Sequence, residues 1–372
     1  MKERINFIAI DVDDKSFHGC GINSVSKEVR EFSCRPTVGH LAKKLSGFTE
    51  EGSKLKVCYE ATYVGFSLQR ELTKRGYTCE VIAPSLIPER RGERVKTDRL
   101  DCRKMAEYYS HDQLTVIHIP SVEEEMVRDL VRTRRFISRQ MRALKLHILS
   151  TCRRLGWNYR ESESGGKVYW TKKHREWLLS AAKDTSNRQL NFNMITMLNQ
   201  LEQMERQIGL YDQEMAHAAE HEPYQEKVIA LSCYRGVDLL TAMTLITELG
   251  DIKRFKHPRQ LCSYAGMELT EYSSGGHERR YRMSKMGNKH VRTSVIEACQ
   301  LASKVPHISK SLKARRKGAT LKYIEIADRC MHRLYKKSWR LLNRNKMANK
   351  VKVACAREML CFVWESLNAV AA

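Results

Sequence analysis

Short apolar runs rich in β-branched residues open the chain, and they end on acids. INFIAIDVD (residues 5–13) predicts a buried strand that closes on Asp11 and Asp13, and KLKVCYEAT (residues 54–62) a second that closes on Glu60. FSLQRELTKRGYTCEVIAP (residues 66–84) reads as a helix stopped at Gly76, followed by a strand closed by Pro84. Strands alternating with helices predict a mostly parallel or mixed sheet, an α/β domain over residues 1–120.

After Pro120 the period changes. Ser121 with Glu124 three residues on is a capping box, and Met126, Leu130, Ile137, Met141, Leu144 and Ile148 share roughly one face of the long helix that follows. RESESGGKVYW (residues 160–170) is a polar linker. A second long helix carries Met194, Met197, Leu201, Met204, Ile208, Tyr211 and Met215, spaced alternately three and four apart. That is the seam of a coiled coil, which would make the protein a homo-oligomer, dimer or tetramer; a helix packed on its own domain shows the same spacing. These helices fill residues 121–225.

Residues 226–372 form a third region, mainly α and strongly basic. GVDLLTAMTLITELGD predicts an apolar helix ended by Gly250, and HPRQLCSYAGM a helix closed by Gly266. TEYSSGGHERRYRMSKMGNKHVR reads as a loop rich in glycine, serine and cations, and the remainder from Thr293 as amphipathic helix.

Charge narrows the function. The 372 residues carry a formal net charge of +23, with a pI of about 9.6, and the cations are clustered. Clustered positive charge calls for a polyanion, of which nucleic acid is the commonest; a merely soluble basic protein is the alternative. The 12 cysteines are spread singly with no C-x-x-C pair, which excludes zinc-ribbon spacing and predicts free thiols in a reducing compartment. No apolar run reaches membrane-spanning length and the first residues carry acids, so a soluble, cytoplasmic protein with no membrane partner is expected, associated with the nucleoid when bound to DNA.

Four acids stand out. Asp11 and Glu60 close strands, while Asp98 and Asp101 lie one turn apart where a helix starts. Together they could meet at the carboxyl edge of a sheet, where open α/β folds bind ligands. An all-oxygen set suits Mg²⁺ or Mn²⁺ rather than zinc, and paired ions would serve phosphodiester chemistry. Taken singly, Asp98 and Asp101 could instead neutralise a helix N-terminus or pair with Arg99 and Arg103.

The serine loop offers a second chemistry. Ser273 and Ser274 precede Gly275 and Gly276, whose missing side chains let backbone approach a bulky anion. Arg279, Arg280, Arg282, Lys285, Lys289 and Arg292 follow as a phosphate-contacting surface. From the residues alone, a serine there reads as a hydrogen-bond donor to phosphate.

FIAIDVDDKSF, CYEATYVG and KTDRLDCRKMAEY resemble the three acidic motifs of the insertion-sequence 110 family of transposases. LCSYAGMELTEYSSGG followed by SKMGNKHVR resembles the C-terminal transposase domain of that family, and the matches run in the family's order. The resemblance implies a RuvC-like, RNase H-type N-terminal domain. It also implies that Asp11, Glu60, Asp98 and Asp101 are a metal-binding tetrad, and that Ser274, ahead of Ser273, is a nucleophile forming a phosphoserine link to DNA. It further implies an element-encoded guide RNA and a site composed between subunits. The alternatives are a RuvC-like structure-specific endonuclease using metal-activated water, and an architectural nucleic-acid-binding protein whose acids are structural.

One departure is visible. LSCYRGVDLL resembles a helix-hairpin-helix turn, but Asp238 stands where the second glycine would approach phosphate. An aspartate would repel the phosphate, so the turn is expected to pack the domain rather than grip DNA.

Overall fold

The computed structural model describes residues 4–49, 53–88, 98–162, 166–274 and 277–371; the side chains of residues 98 and 271–281 lie outside this description. The chain divides into two compact units, Met1–Pro120 and Ser121–Ala372.

The first unit is built on a five-stranded sheet in the order β3-β2-β1-β4-β5. Its strands are β1 (Arg4–Val12), β2 (Phe17–Asn23), β3 (Val29–Cys34), β4 (Ser53–Glu60) and β5 (Thr78–Ile82). The first three run antiparallel, whereas β4 pairs parallel to β1 and β5 parallel to β4. Helices α1 (Val38–Ser46), α2 (Ser67–Lys74) and α3 (Asp98–Ser110) complete the unit.

Side-chain alternation assigns two faces. Ile8, Ile10, Val12, Val57 and Tyr59 point to a core shared with Leu41, Leu45, Leu68 and Leu72 of α1 and α2. Ala9 and Cys58 point the other way, against Cys102, Met105, Ala106 and Tyr109 of α3. Those four α3 positions follow helical spacing, so one stripe of the helix seals that face of the sheet.

The second unit holds α4 (Val122–Arg154), α5 (Lys172–Asp184), α6 (Arg188–Ala219), α7 (Gln225–Ser232), α8 (Leu239–Leu249) and α9 (Pro258–Tyr264). A hairpin of β6 (Leu269–Ser274) and β7 (His277–Met283) follows, then α10 (Lys289–Ala298), α11 (Lys310–Arg315), α12 (Leu321–Leu342) and α13 (Ala348–Val370). Ser121 and Glu124 form the reciprocal capping box at the head of α4.

The heptad seam of α6 meets a partner inside the chain. Met194 and Leu201 pack with Ile148 and Cys152 of α4, and Met141 and Leu144 lie against the same cluster. Arg134 to Asp212 and Lys145 to Glu205 cross between the helices, a pattern that fits an antiparallel hairpin. The alternative in which this helix packs within its own domain is the arrangement present.

The Gly236 turn packs as well. Gly236 has φ +87°, and a Cβ there would lie 2.2 Å from the carbonyl oxygen of Ala298. Asp238 caps α8, its carboxylate accepting the Thr241 N–H at 2.8 Å. Gly236→Ala is therefore expected to destabilise the protein by roughly 2 kcal/mol or more in denaturant unfolding. An unchanged midpoint would contradict the close approach.

Candidate active site

The sheet brings two of the four acids to one edge. Ile10 of β1 pairs with Tyr59 of β4, so Asp11 and Glu60 are the next residues of neighbouring parallel strands. Asp11 shares the alternation of Phe7 and Ala9, and Glu60 that of Cys58, so both belong to the face that α3 covers. Both are half-buried.

The start of α3 lies at this edge. Cys102 donates its thiol to the carbonyl of His18 at 3.3 Å, and His18 is the cross-strand partner of Asp11. Burial pushes the Cys102 thiol up to about 12; a hydrogen bond from the Asp11 backbone works against that, and the Asp11 and Asp101 charges add to it. Asp101 precedes Cys102 in α3, and its charge and that of Asp11 both act on the Cys102 thiol. Asp98 opens the helix one turn earlier, and its side chain lies outside the described residues.

Arg99 pairs with Glu31 of β3. After β1, Asp13 accepts the Lys15 N–H at 2.9 Å in a turn, and the Tyr63 hydroxyl hydrogen-bonds Asp14. Among the described residues no three histidine, cysteine or acidic side chains stand at metal-ligating spacing. The set that gathers at the edge is carboxylate oxygen only, which suits a hard divalent cation.

The serine segment is a two-stranded antiparallel hairpin where a loop was expected. Ser274 ends β6 opposite His277, and Ser273 lies opposite Glu278. The sequence signal was present, because Gly-Gly between two runs with strand character marks a tight hairpin, but the density of arginines concealed it. Gly275 and Gly276 lie outside the described residues, as do the side chains of Ser273, Ser274, Arg279 and Arg280.

Beyond the hairpin the cations differ in setting. Arg282, Lys285 and Lys289 are exposed, with Lys285 at φ +57°. Arg292 is half-buried and donates to the carbonyl of Ala265 at 2.7 Å, closing the end of α9.

A buried carboxylate missed in the sequence underlies this loop. Glu248 is 4% exposed and accepts both Arg132 donors, at 2.7 and 2.8 Å, together with the Asn288 amide at 2.7 Å. Burial alone would raise its pKa; Arg132 and Asn288 more than offset that and hold it below the ordinary carboxylate range. Asn288 also caps α10, so the network anchors the segment that presents Lys285 and Lys289. No local motif announces it, since Arg132 and Glu248 are 116 residues apart.

Most of the cations of α4 are also held within the chain. Arg132, Arg134 and Lys145 are held by acids, and Arg135 by the Ser294 hydroxyl. Arg139 and Arg142 are exposed and hold no ion pair among the described residues.

Two transposase family models match the chain. Residues 230–313, which include the hairpin, match the transposase IS116/IS110/IS902 family. Residues 8–155, which include all four acids, match a further transposase family, the DEDD type of IS110. A protein of Sinorhizobium fredii named as a putative transposase is 32% identical over 324 residues, 87% of this chain and 78% of its own length.

The chain belongs to the IS110 family of transposases.

The transposase for insertion sequence element IS1533 of Leptospira borgpetersenii is 27% identical over 354 residues, covering 93% of this chain and 99% of that protein. The transposase for insertion sequence element IS1111A of Coxiella burnetii is 24% identical over 304 residues, 81% of this chain and 78% of its own. Transposases cut and rejoin DNA, so DNA is a partner of this chain. Among the described residues no helix is long and apolar enough to cross a membrane.

Proposed function

We propose that this transposase cuts and rejoins DNA through a Ser274–phosphate link, assisted by Mg²⁺ or Mn²⁺ held by Asp11, Glu60, Asp98 and Asp101. The observation that carries it is the convergence of Asp11, Glu60 and the start of α3 on one sheet edge. The five-stranded mixed sheet, antiparallel then parallel, supports a RuvC-like, RNase H-type domain.

The Ser274 hydroxyl attacks a backbone phosphorus, forming an Oγ–P bond and releasing a deoxyribose hydroxyl. Rejoining reverses the step with the hydroxyl of another strand. Serine is a weak nucleophile at neutral pH and needs its proton removed, and the developing phosphate charge needs nearby donors. A bound divalent cation supplies Lewis-acid stabilisation of that charge. The cations of β7, the loop after it and the start of α10, Arg279, Arg280, Arg282, Lys285 and Lys289, hold the DNA backbone. An element-encoded guide RNA selecting the DNA, and a homo-oligomer uniting Ser274 of one subunit with the acids of another, complete the proposal.

Ser274→Ala and Ser273→Ala are compared with the wild type in a strand-cleavage assay with Mg²⁺. Loss of cleavage in Ser274→Ala alone supports the mechanism. Cleavage that survives in Ser274→Ala replaces it with hydrolysis by activated water. The loop cations make a separate prediction. Lys289→Ala weakens binding about equally for all DNA sequences and lowers the slope of log affinity against log salt by about 1. An unchanged slope in a salt titration would remove Lys289 from the contact surface.

A further inference from the structure

A cavity of about 320 Å³ opens beside the end of α4 and the start of α5. That is the small end of the ~300–1,000 Å³ range of ligand sites. Trp157, Tyr159, Tyr169, His174 and Trp177 line it, with Arg153, Asn158 and Glu161 at exposed positions on its rim. The rings form one cage: Tyr159 lies 5.2 Å from Trp177 and 6.1 Å from Tyr169, and Tyr169 stands edge-on to His174 at 5.1 Å.

His174 gives the cage a polar group to satisfy. It is 0% exposed, and its Nδ1 accepts the Trp170 N–H at 2.9 Å. Burial, then the Arg175 charge, lowers its pKa to about 4, so the imidazole is neutral with its proton on Nε2. That Nε2 has no hydrogen-bond partner among the described residues. An unpaired buried donor costs about 1–3 kcal/mol, so a ligand acceptor there would be rewarded.

Charge selects the ligand class. Aromatic cages also bind cations, but here the chain's own cations lie over the outer rings, Arg160 at 5.3 Å from Tyr169 and Lys145 at 5.4 Å from Trp170. Arg153 and Glu161 balance on the rim itself, and from residue 153 to residue 177 seven lysines and arginines outnumber three glutamates. A flat ring attached to an anionic backbone fits these surroundings, whereas a cation does not.

We propose that this cavity is a socket for one unpaired nucleobase of single-stranded nucleic acid. The base stacks against Tyr169 and Trp157, a base acceptor meets the His174 Nε2–H, and the flanking phosphates lie toward Arg153 and Arg160. Every base has a π-face, so the socket tolerates sequence, while a base stacked in a duplex cannot enter. The inference rests on the transposase acting on nucleic acid, but not on its serine chemistry.

The test uses the full-length protein without Mg²⁺. Single-stranded RNA carrying 4-thiouridine and single-stranded DNA carrying 5-bromodeoxyuridine are crosslinked by ultraviolet light, and the adducts are mapped by peptide mass spectrometry. Crosslinks at Trp157 or Tyr169 are expected. With RNA alone they identify an RNA base as the occupant, with DNA alone a displaced DNA strand, and with both a general single-strand socket. Tyr169→Ala should bind the crosslinked strand about ten-fold more weakly and duplex DNA unchanged, while Tyr169→Phe, which keeps the ring, binds as the wild type does.

Crosslinks that fall wholly elsewhere overturn the socket. So does a Tyr169→Ala protein that melts normally and binds both single strands at wild-type strength. If Tyr169→Ala does not fold, the wild-type crosslink map decides alone. A protein that crosslinks here but forms no serine adduct keeps the socket and loses the recombination mechanism; the reverse pattern loses only the socket.

Discussion

Asp11→Asn is expected to slow strand cleavage by about 10²–10³-fold or more, the scale on which single electrostatic groups act in catalysis. The replacement keeps the shape of the side chain and leaves the backbone pairing of β1 with β2 and β4 in place. Binding of DNA should therefore hold or strengthen slightly, because one negative charge is removed from a protein of net charge +23. Cleavage kinetics and a binding isotherm on the same preparation separate the two effects. Cleavage at the wild-type rate would remove Asp11 from the chemistry, and with it the reason for the carboxylate edge. Equal losses of binding and cleavage would point to a damaged sheet instead.

Arg132→Ala carries the largest expected effect on stability. It leaves the Glu248 carboxylate buried and without its main partner, a change worth about 3–5 kcal/mol in general. About 3 kcal/mol is expected here, because the Arg132 side chain is 40% exposed and Asn288 still donates to Glu248. Denaturant unfolding measures it, and pH supplies a second signature. In the wild type the folded-state pKa of Glu248 is depressed, so its stabilising contribution is fully present above the ordinary carboxylate range. That contribution is lost as pH falls through the folded-state value. In the variant, burial without Arg132 favours the neutral acid, so protonation relieves the penalty. The stability gap between wild type and variant should narrow from pH 7 toward acid. A gap that stays constant with pH would show that lost packing, not lost charge pairing, is responsible.

What the sequence revealed follows from which signals are local. The strands ending at Asp11 and Glu60 were readable, because buried parallel strands are continuous apolar runs and both runs stop on an acid. The capping box of α4 and the glycine ends of α8 and α9 were readable for the same reason. Strands β2 and β3 were not read. Phe17–Asn23 carries Gly19 and Gly21, which weaken a strand pattern, although both are needed where a Cβ would meet the rings of Phe32 and Phe48. The partner of the α6 seam was ambiguous in sequence, since heptad spacing does not reveal whether the facing helix belongs to the same chain.

The candidate site divides in the same way. Asp98 and Asp101 were visible as an i, i+3 pair, but that the start of α3 packs on β1 and β2 depends on long-range contacts such as Cys102 to His18. The acids that hold Arg132 and Arg134 of α4 come from α8 and α6, far along the chain, so no local signal shows that these cations are paired. The cage around His174 was read only as a polar linker. Its aromatic residues flank a glycine- and serine-rich stretch, and only the fold shows that they converge.

The most direct measurement of the proposed mechanism is the chemical identity of the protein–DNA link. The transposase is co-expressed with its flanking non-coding DNA, purified, and given labelled target and donor DNA with Mg²⁺. The products are then denatured, digested and read by peptide mass spectrometry. A nucleotide attached through phosphate to Ser274, absent without Mg²⁺ and absent in Asp11→Asn, is the predicted result. DNA cut to completion with no nucleotide on any serine would contradict it.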